Sequence, residues 1–168
     1  MNKLANLNAR IRDRLTEDWL TPSEKAAWAW VKRLDAPPHR VINLYGSEGT
    51  GKTFLGWLME RQNYASYASF GGPFTPTLPR MVVDDTPADR PNTREFQTMV
   101  DNLKIKQIII LTRSRVDEPA MPAFALNVES EDIECFRANL YRYMNLTVPE
   151  GALLRNYQSV MTIITRQS

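Results

Sequence analysis

The chain has 168 residues, 43% of them hydrophobic and 24% charged, with a formal net charge of +2. That length fits one domain with its own core, and the charge balance falls short of the strongly basic character of a dedicated nucleic-acid binder. One cysteine (Cys135) and one histidine (His39) exclude a disulfide framework or a zinc cluster within the chain. No apolar run approaches a membrane span, and the amino terminus lacks the apolar stretch of a secretion signal, so a cytoplasmic protein is expected.

Leu4, Leu7, Ile11 and Leu15 recur at spacings of three and four, which predicts an amphipathic helix with Arg10, Arg12 and Arg14 on a basic opposite face. Thr21, Pro22 and Glu24 then have the spacing of a capping box with proline in the first turn. The helix they open is expected to reach Leu34 and to stop before Pro37 and Pro38, with Trp28 and Val31 buried. These two helices form an amino-terminal segment, residues 1–37, ahead of a core over residues 38–168. His39 is expected in a loop, and Cys135 to pack within a helix.

"RVINLY" (Arg40–Tyr45) predicts a buried strand, and a helix follows from about Gly51 to Arg61. "YASYASF" (Tyr64–Phe70) alternates weakly and predicts a second strand. "RMVVDD" predicts a third, ending in two carboxylates. "TREFQTMVDNLKI" is helical, with Asn92 and Glu95 spaced as cap and box partner. "KQIIILTRS" is the strongest strand pattern, "AFALNVES" predicts a fifth strand, and "EDIECFRANLYRYMN" another helix. Pro149 and Gly151 mark a turn before a last helix or strand. Strands alternating with helices predict an α/β fold whose parallel sheet is covered on both faces.

The chemistry is concentrated in "GSEGTGKT". Gly46, Ser47, Glu48, Gly49, Thr50, Gly51, Lys52 and Thr53 match G-x-x-x-x-G-K-[ST] in full, between an expected strand and an expected helix. Glycines let the backbone turn its N–H groups inward, and the helix amino terminus adds a field that favours phosphate. Lys52 is expected on the β- and γ-phosphates and the Thr53 hydroxyl on Mg²⁺. Asp84 and Asp85 end the third strand, where a parallel sheet presents ligand-binding residues. Asp84 is the candidate for holding the hydrated metal, and Asp85 for orienting or deprotonating an attacking water. Thr112, at the end of "IIILT", is a candidate hydrogen-bond donor to the γ-phosphate or to the water. Arg113 or Arg115 is a candidate arginine finger acting on a neighbouring subunit.

"GSEGTGKT", "MVVDD" and "IIILTRS" together resemble the AAA+ ATPases, and within them the replication-initiator and helicase-loader group of the DnaA, DnaC and IstB type. The resemblance covers about residues 38–128. It implies a P-loop NTPase three-layer sandwich of about five mostly parallel strands flanked by helices. It also implies ATP and Mg²⁺ as cofactors, ATP-dependent homo-oligomers, and action on DNA or a protein partner. Guanine recognition is disfavoured because no Asn-Lys-x-Asp segment is present.

Two features depart from that pattern. About ten residues separate the second and third strands and eleven separate Thr112 from Phe124, whereas a parallel crossover takes a dozen or more. At least one covering helix is therefore expected to be absent or very short. The tail is too short for a complete helical lid, with Arg137 and Arg155 as weak candidates for a nucleotide-sensing arginine. A small P-loop kinase and a non-hydrolysing ATP-dependent switch remain the alternatives to an ATPase.

Overall fold

A computed structural model describes residues 2–34 and 40–167, so Pro37, Pro38 and His39 lie outside the described residues. The five strands are β1 (Val41–Tyr45), β2 (Ser66–Ser69), β3 (Arg80–Asp84), β4 (Gln107–Thr112) and β5 (Ala123–Ala125). They form one sheet in the order β2-β3-β4-β1-β5, and every pairing is parallel. All six residues of β4 are buried, which matches its unbroken apolar run. Register places Tyr45 beside Thr112 and Ser69 beside Asp84, so the carboxyl ends of β1 to β4 line one edge of the sheet.

Among the described residues six α-helices flank the sheet: α1 (Lys3–Arg14), α2 (Pro22–Arg33), α3 (Lys52–Arg61), α4 (Arg94–Asn102), α5 (Ser130–Met144) and α6 (Tyr157–Gln167). On one face Ile42, Leu44, Val82, Ile109 and Leu111 share a core with side chains of α1, α2, α3, α5 and α6. On the other face Met81, Val83, Ile108 and Ile110 meet Phe96 and Val100 of α4. There the expected shortage of helices is observed twice. Neither the ten residues between β2 and β3 nor the ten between β4 and β5 contain a helix. Val116 and Met121, from the second connection, fill the space a helix would cover. The amino-terminal helices pack into the same core as the sheet, through Leu7, Ile11, Trp28 and Val31.

The capping box of α2 forms as its sequence predicts, with Thr21 and Glu24 bonded reciprocally. Helix α4 corrects its prediction. Thr93, not Asn92, is the N-cap and accepts from the Phe96 amide at 3.3 Å, while the Asn92 side chain donates to the Asp117 carbonyl. Strand β5 stops at Ala125, well short of Ser130, and Glu129 and Asp132 form the capping box that opens α5. The last element is helical. Among the described residues no helix is long and apolar enough to cross a membrane.

Candidate functional site

The glycine loop leaves β1 at Tyr45 and becomes α3 at Lys52. Gly49 and Gly51 sit at φ +80° and +92°, a region that residues with a Cβ enter at a cost. Both are also crowded from behind. A Cβ on Gly49 would lie 2.8 Å from the Asn156 side chain, and one on Gly51 would run into the Glu24 carboxyl group and the Tyr157 ring. The carboxy-terminal segment clasps the loop further, as the Tyr157 amide donates to the Gly49 carbonyl and Asn156 Nδ2 to the Glu48 carbonyl.

No side chain caps α3, so its first amides are left for an anion. Lys52 Nζ donates to the carbonyls of Gly46 at 2.6 Å and Ser47 at 2.9 Å. Burial lowers its pKa, against an opposing pull from Asp84. A partly desolvated ammonium beside uncapped amides is a favourable setting for a polyanion.

On one side of the loop lies a cleft of about 340 Å³ bordered by Lys52, Thr53, Asp84, Asp85 and Arg113. Asp84 is buried, and its Oδ2 accepts from the Thr53 hydroxyl at 2.8 Å and from the Tyr67 hydroxyl at 2.5 Å. Its Oδ1 accepts from the Asp85 amide at 2.7 Å. Burial, with Asp84 adjacent, pushes the Tyr67 phenol well above its ordinary range, so it remains a donor. Asp85 is exposed and adopts φ +56°, a left-handed conformation that aspartate tolerates better than most residues.

Thr53 and Asp84 together suit a hard divalent cation. Among the described residues no group of three or more His, Cys, Asp or Glu could hold a metal ion unaided. An ion here would complete its shell with phosphate and water oxygens, as Mg²⁺ does.

Three further predicted residues fall differently. Thr112 is buried, and its only proton goes to the Ser114 carbonyl at 2.7 Å while its oxygen accepts from Asn43 Nδ2 at 2.8 Å. It has no proton left to offer a phosphate in this arrangement. Arg113 is exposed and lies 3.9 Å from Glu48 of its own loop, which places it beside its own chain's site. Arg115 is exposed and lies in a separate groove with Asp117 and Glu118.

On the other side of the loop is a second cavity, of about 240 Å³, walled by Leu4 and Asn8 of α1, Trp57 of α3, and Tyr157, Gln158 and Met161 of α6. Sequence reasoning missed all six, because α1 and α6 carry no motif and Trp57 lies on α3 beyond the end of the loop motif. The oxygen of Asn8, Oδ1, is buried without a hydrogen-bond partner. Beneath the loop, Tyr157 bonds Thr21 at 2.6 Å, hydroxyl to hydroxyl, and Glu24 is fully buried. Desolvation pushes the Glu24 carboxyl group up to about 8, against hydrogen bonds from Thr21 that lower it. Asn43, Tyr67, Glu24 and Tyr157 are the parts of the site that the motif could not announce.

No protein-family model and no curated protein matches the chain. Solved structures do. AMPPCP-bound DnaA from Aquifex aeolicus superposes with a TM-score of 0.58 at 16% identity, over 84% of this chain and 60% of that one. The replication initiator DnaA bound to AMPPCP and single-stranded DNA superposes with a TM-score of 0.61 at 15% identity, over 88% of this chain and 61% of that one. The chain therefore shares its fold, a five-stranded parallel sheet flanked by helices, with these DnaA structures. This chain spans about three fifths of the length of the DnaA structures it matches.

Proposed function

We propose that this chain is a cytoplasmic ATPase of the AAA+ kind, which binds Mg-ATP and uses its hydrolysis to drive assembly or remodelling on DNA or on a protein partner. The observation that carries this reading is the conjunction of an uncapped α3, the half-buried Lys52 amine and the Thr53–Asp84 pair around one cleft. The loop amides from Gly46 to Thr53 would hold the phosphates, with Lys52 on the outer ones. Thr53 and Asp84 would hold Mg²⁺, which supplies neutralisation of charge on the phosphoryl oxygens. Asp85, exposed at the mouth of the cleft, would orient the attacking water and take up its proton. Thr112 would act indirectly, by fixing the end of β4 through Asn43 and Ser114. Arg113 and, at a neighbouring subunit, Arg115 are the cationic groups available to the transition state. The cavity beside Trp57 and Met161 would take the base.

Single-stranded DNA in one of the DnaA structures is the reason to test DNA and oligomerisation together. A second reading, a switch that binds ATP without cleaving it, is favoured by one observation, the commitment of the Thr112 proton to Ser114. Lys52→Ala is expected to abolish ATP binding, whereas Asp85→Asn keeps binding and loses phosphate release. Equal turnover in wild type and Asp85→Asn overturns the mechanism. No phosphate release in wild type, combined with an ATP-dependent change of mass with or without single-stranded DNA, selects the switch.

A further inference from the structure

The phenol of Tyr67 stands outside every motif in the chain, yet it makes one of the closest polar contacts of the cleft. Strand β2 brings it there. Register sets Tyr67 beside Val82 and Ser69 beside Asp84, so the Tyr67 ring lies one step back from the carboxylate along the sheet. Gly56 of α3 leaves room for that ring, since a Cβ there would come within 2.9 Å of it. From above, the Arg12 guanidinium lies 5.4 Å from the ring centroid and is itself paired with Glu60 of α3. The ring is thus clamped between α1 and α3, and its hydroxyl donates into the cleft.

The recipient of that proton is Asp84 Oδ2, the oxygen that also accepts from Thr53. A carboxylate held on one oxygen by a single flexible hydroxyl can swing about its own axis. A second O–H donor on the same oxygen, mounted on a different element, removes that freedom. The Asp85 amide on Oδ1 completes the restraint. Hydrogen-bond partners of metal-binding side chains orient them and raise metal affinity in this way.

We infer that Tyr67 is a positioning residue for the magnesium ion, holding the Asp84 carboxylate in the orientation that Mg-ATP requires. The inference rests on the reading of Thr53 and Asp84 as the metal side of an ATP site. It assigns Tyr67 no contact with nucleotide or metal and no step in the chemistry.

Tyr67→Phe tests it, because the ring stays on Gly56 and beneath Arg12 while the donor is lost. A fluorescent ATP analogue is titrated in EDTA and again across a range of Mg²⁺. Manganese(II) in place of Mg²⁺ gives a direct count of bound ion by electron paramagnetic resonance. The variant is expected to bind nucleotide in EDTA within about twofold of wild type and to need about tenfold more Mg²⁺ or Mn²⁺ for half-saturation. An unchanged metal requirement, beside a normal wild-type response, overturns the inference alone. Equal losses of affinity with and without metal also overturn it, because they assign Tyr67 a purely structural role. A wild-type protein whose nucleotide binding ignores metal overturns the underlying reading and the inference with it.

Discussion

The two spaces flanking the glycine loop are bordered by some of the same residues and are made in different ways. The cleft at Asp84 is built from strand ends and the loop itself, and its polar atoms are joined to one another by short hydrogen bonds. The cavity at Trp57 is formed where α1 and α6, from opposite ends of the chain, meet α3 and the loop, and its walls mix apolar and polar side chains. Backbone pairing in the central sheet fixes the first space. Side-chain packing between elements far apart in sequence fixes the second, so it is the softer of the two. Grip on phosphate and discrimination of the base are therefore separable, and substitutions on each side ought to divide them.

Gly51→Ala is expected to have the largest effect, because Gly51 belongs to the loop between the two spaces and is crowded from beneath by Glu24 and Tyr157. The new methyl group would need φ +92° and would strike Glu24 and Tyr157. A loss of about 2–4 kcal/mol in stability follows from the strain and the overpacking, together with complete loss of nucleotide binding. Thermal melts and an ATP titration check it. Wild-type behaviour in both would show that the loop is not pinned from beneath.

Next in size is Glu24→Gln. The folded-state carboxyl group sits at about 8, raised from 4.5 chiefly by burial, with Asp132 adding a smaller upward push. The folded chain therefore keeps a proton that the unfolded chain has already released. Stability from this group is full below pH 4.5 and is lost as pH rises through about 8. Wild type is expected to lose about 2 kcal/mol more than Glu24→Gln between pH 6 and pH 8. Melting curves that run parallel across this range would show that Glu24 is not held protonated. The same carboxyl group lies against Gly51, so the experiment also reports on the support beneath the loop.

These positions also show what the sequence could and could not disclose. The loop, Asp84, Asp85 and the four strong strands were legible because each depends on neighbours in the chain: a glycine spacing, an apolar run, a carboxylate at a strand end. Tyr67 and Asn43 were not, since their roles follow from pairing between β1, β3, β4 and β2. Thr112 was located correctly at the end of β4, but the direction of its proton depends on Ser114 and Asn43, which a strand pattern does not encode. Asn92 and Thr93 are both competent caps one residue apart, and the contact of Asn92 with Asp117 decides between them. Arg113 is one of two arginines after a strand, and only the path of the chain reveals that Glu48 is its neighbour.

Leu4→Trp separates the two spaces most directly. Leu4 is half-buried in the wall of the cavity, far along the chain from the loop. A larger ring there competes with the base and leaves the loop amides and Lys52 untouched. ATP affinity is expected to fall about tenfold, equivalent to about 1.4 kcal/mol, while competition by inorganic triphosphate stays unchanged. If both ligands weaken equally, the two spaces are one site in energetic terms and the division drawn above fails.

The smallest expected effect belongs to Arg12→Ala, at the point where α1 is fastened to the rest of the site. Arg12 pairs with Glu60, but the two side chains are 43% and 41% exposed, so water screens the ion pair. Its guanidinium also lies 5.5 Å from the Trp57 ring centroid and 5.4 Å from that of Tyr67, which adds packing that salt does not screen. The sum is expected to be about 0.5–1 kcal/mol of stability, only partly recovered by wild-type-like behaviour at high salt. Nucleotide binding should weaken slightly for ATP and hardly at all for triphosphate, because α1 walls the base side directly and reaches the phosphate cleft only through the Tyr67 ring. A loss that vanishes in 1 M salt would make the contact a surface ion pair and nothing more. A loss of triphosphate binding would instead show that α1 supports the phosphate cleft as well, through the Tyr67 ring it covers.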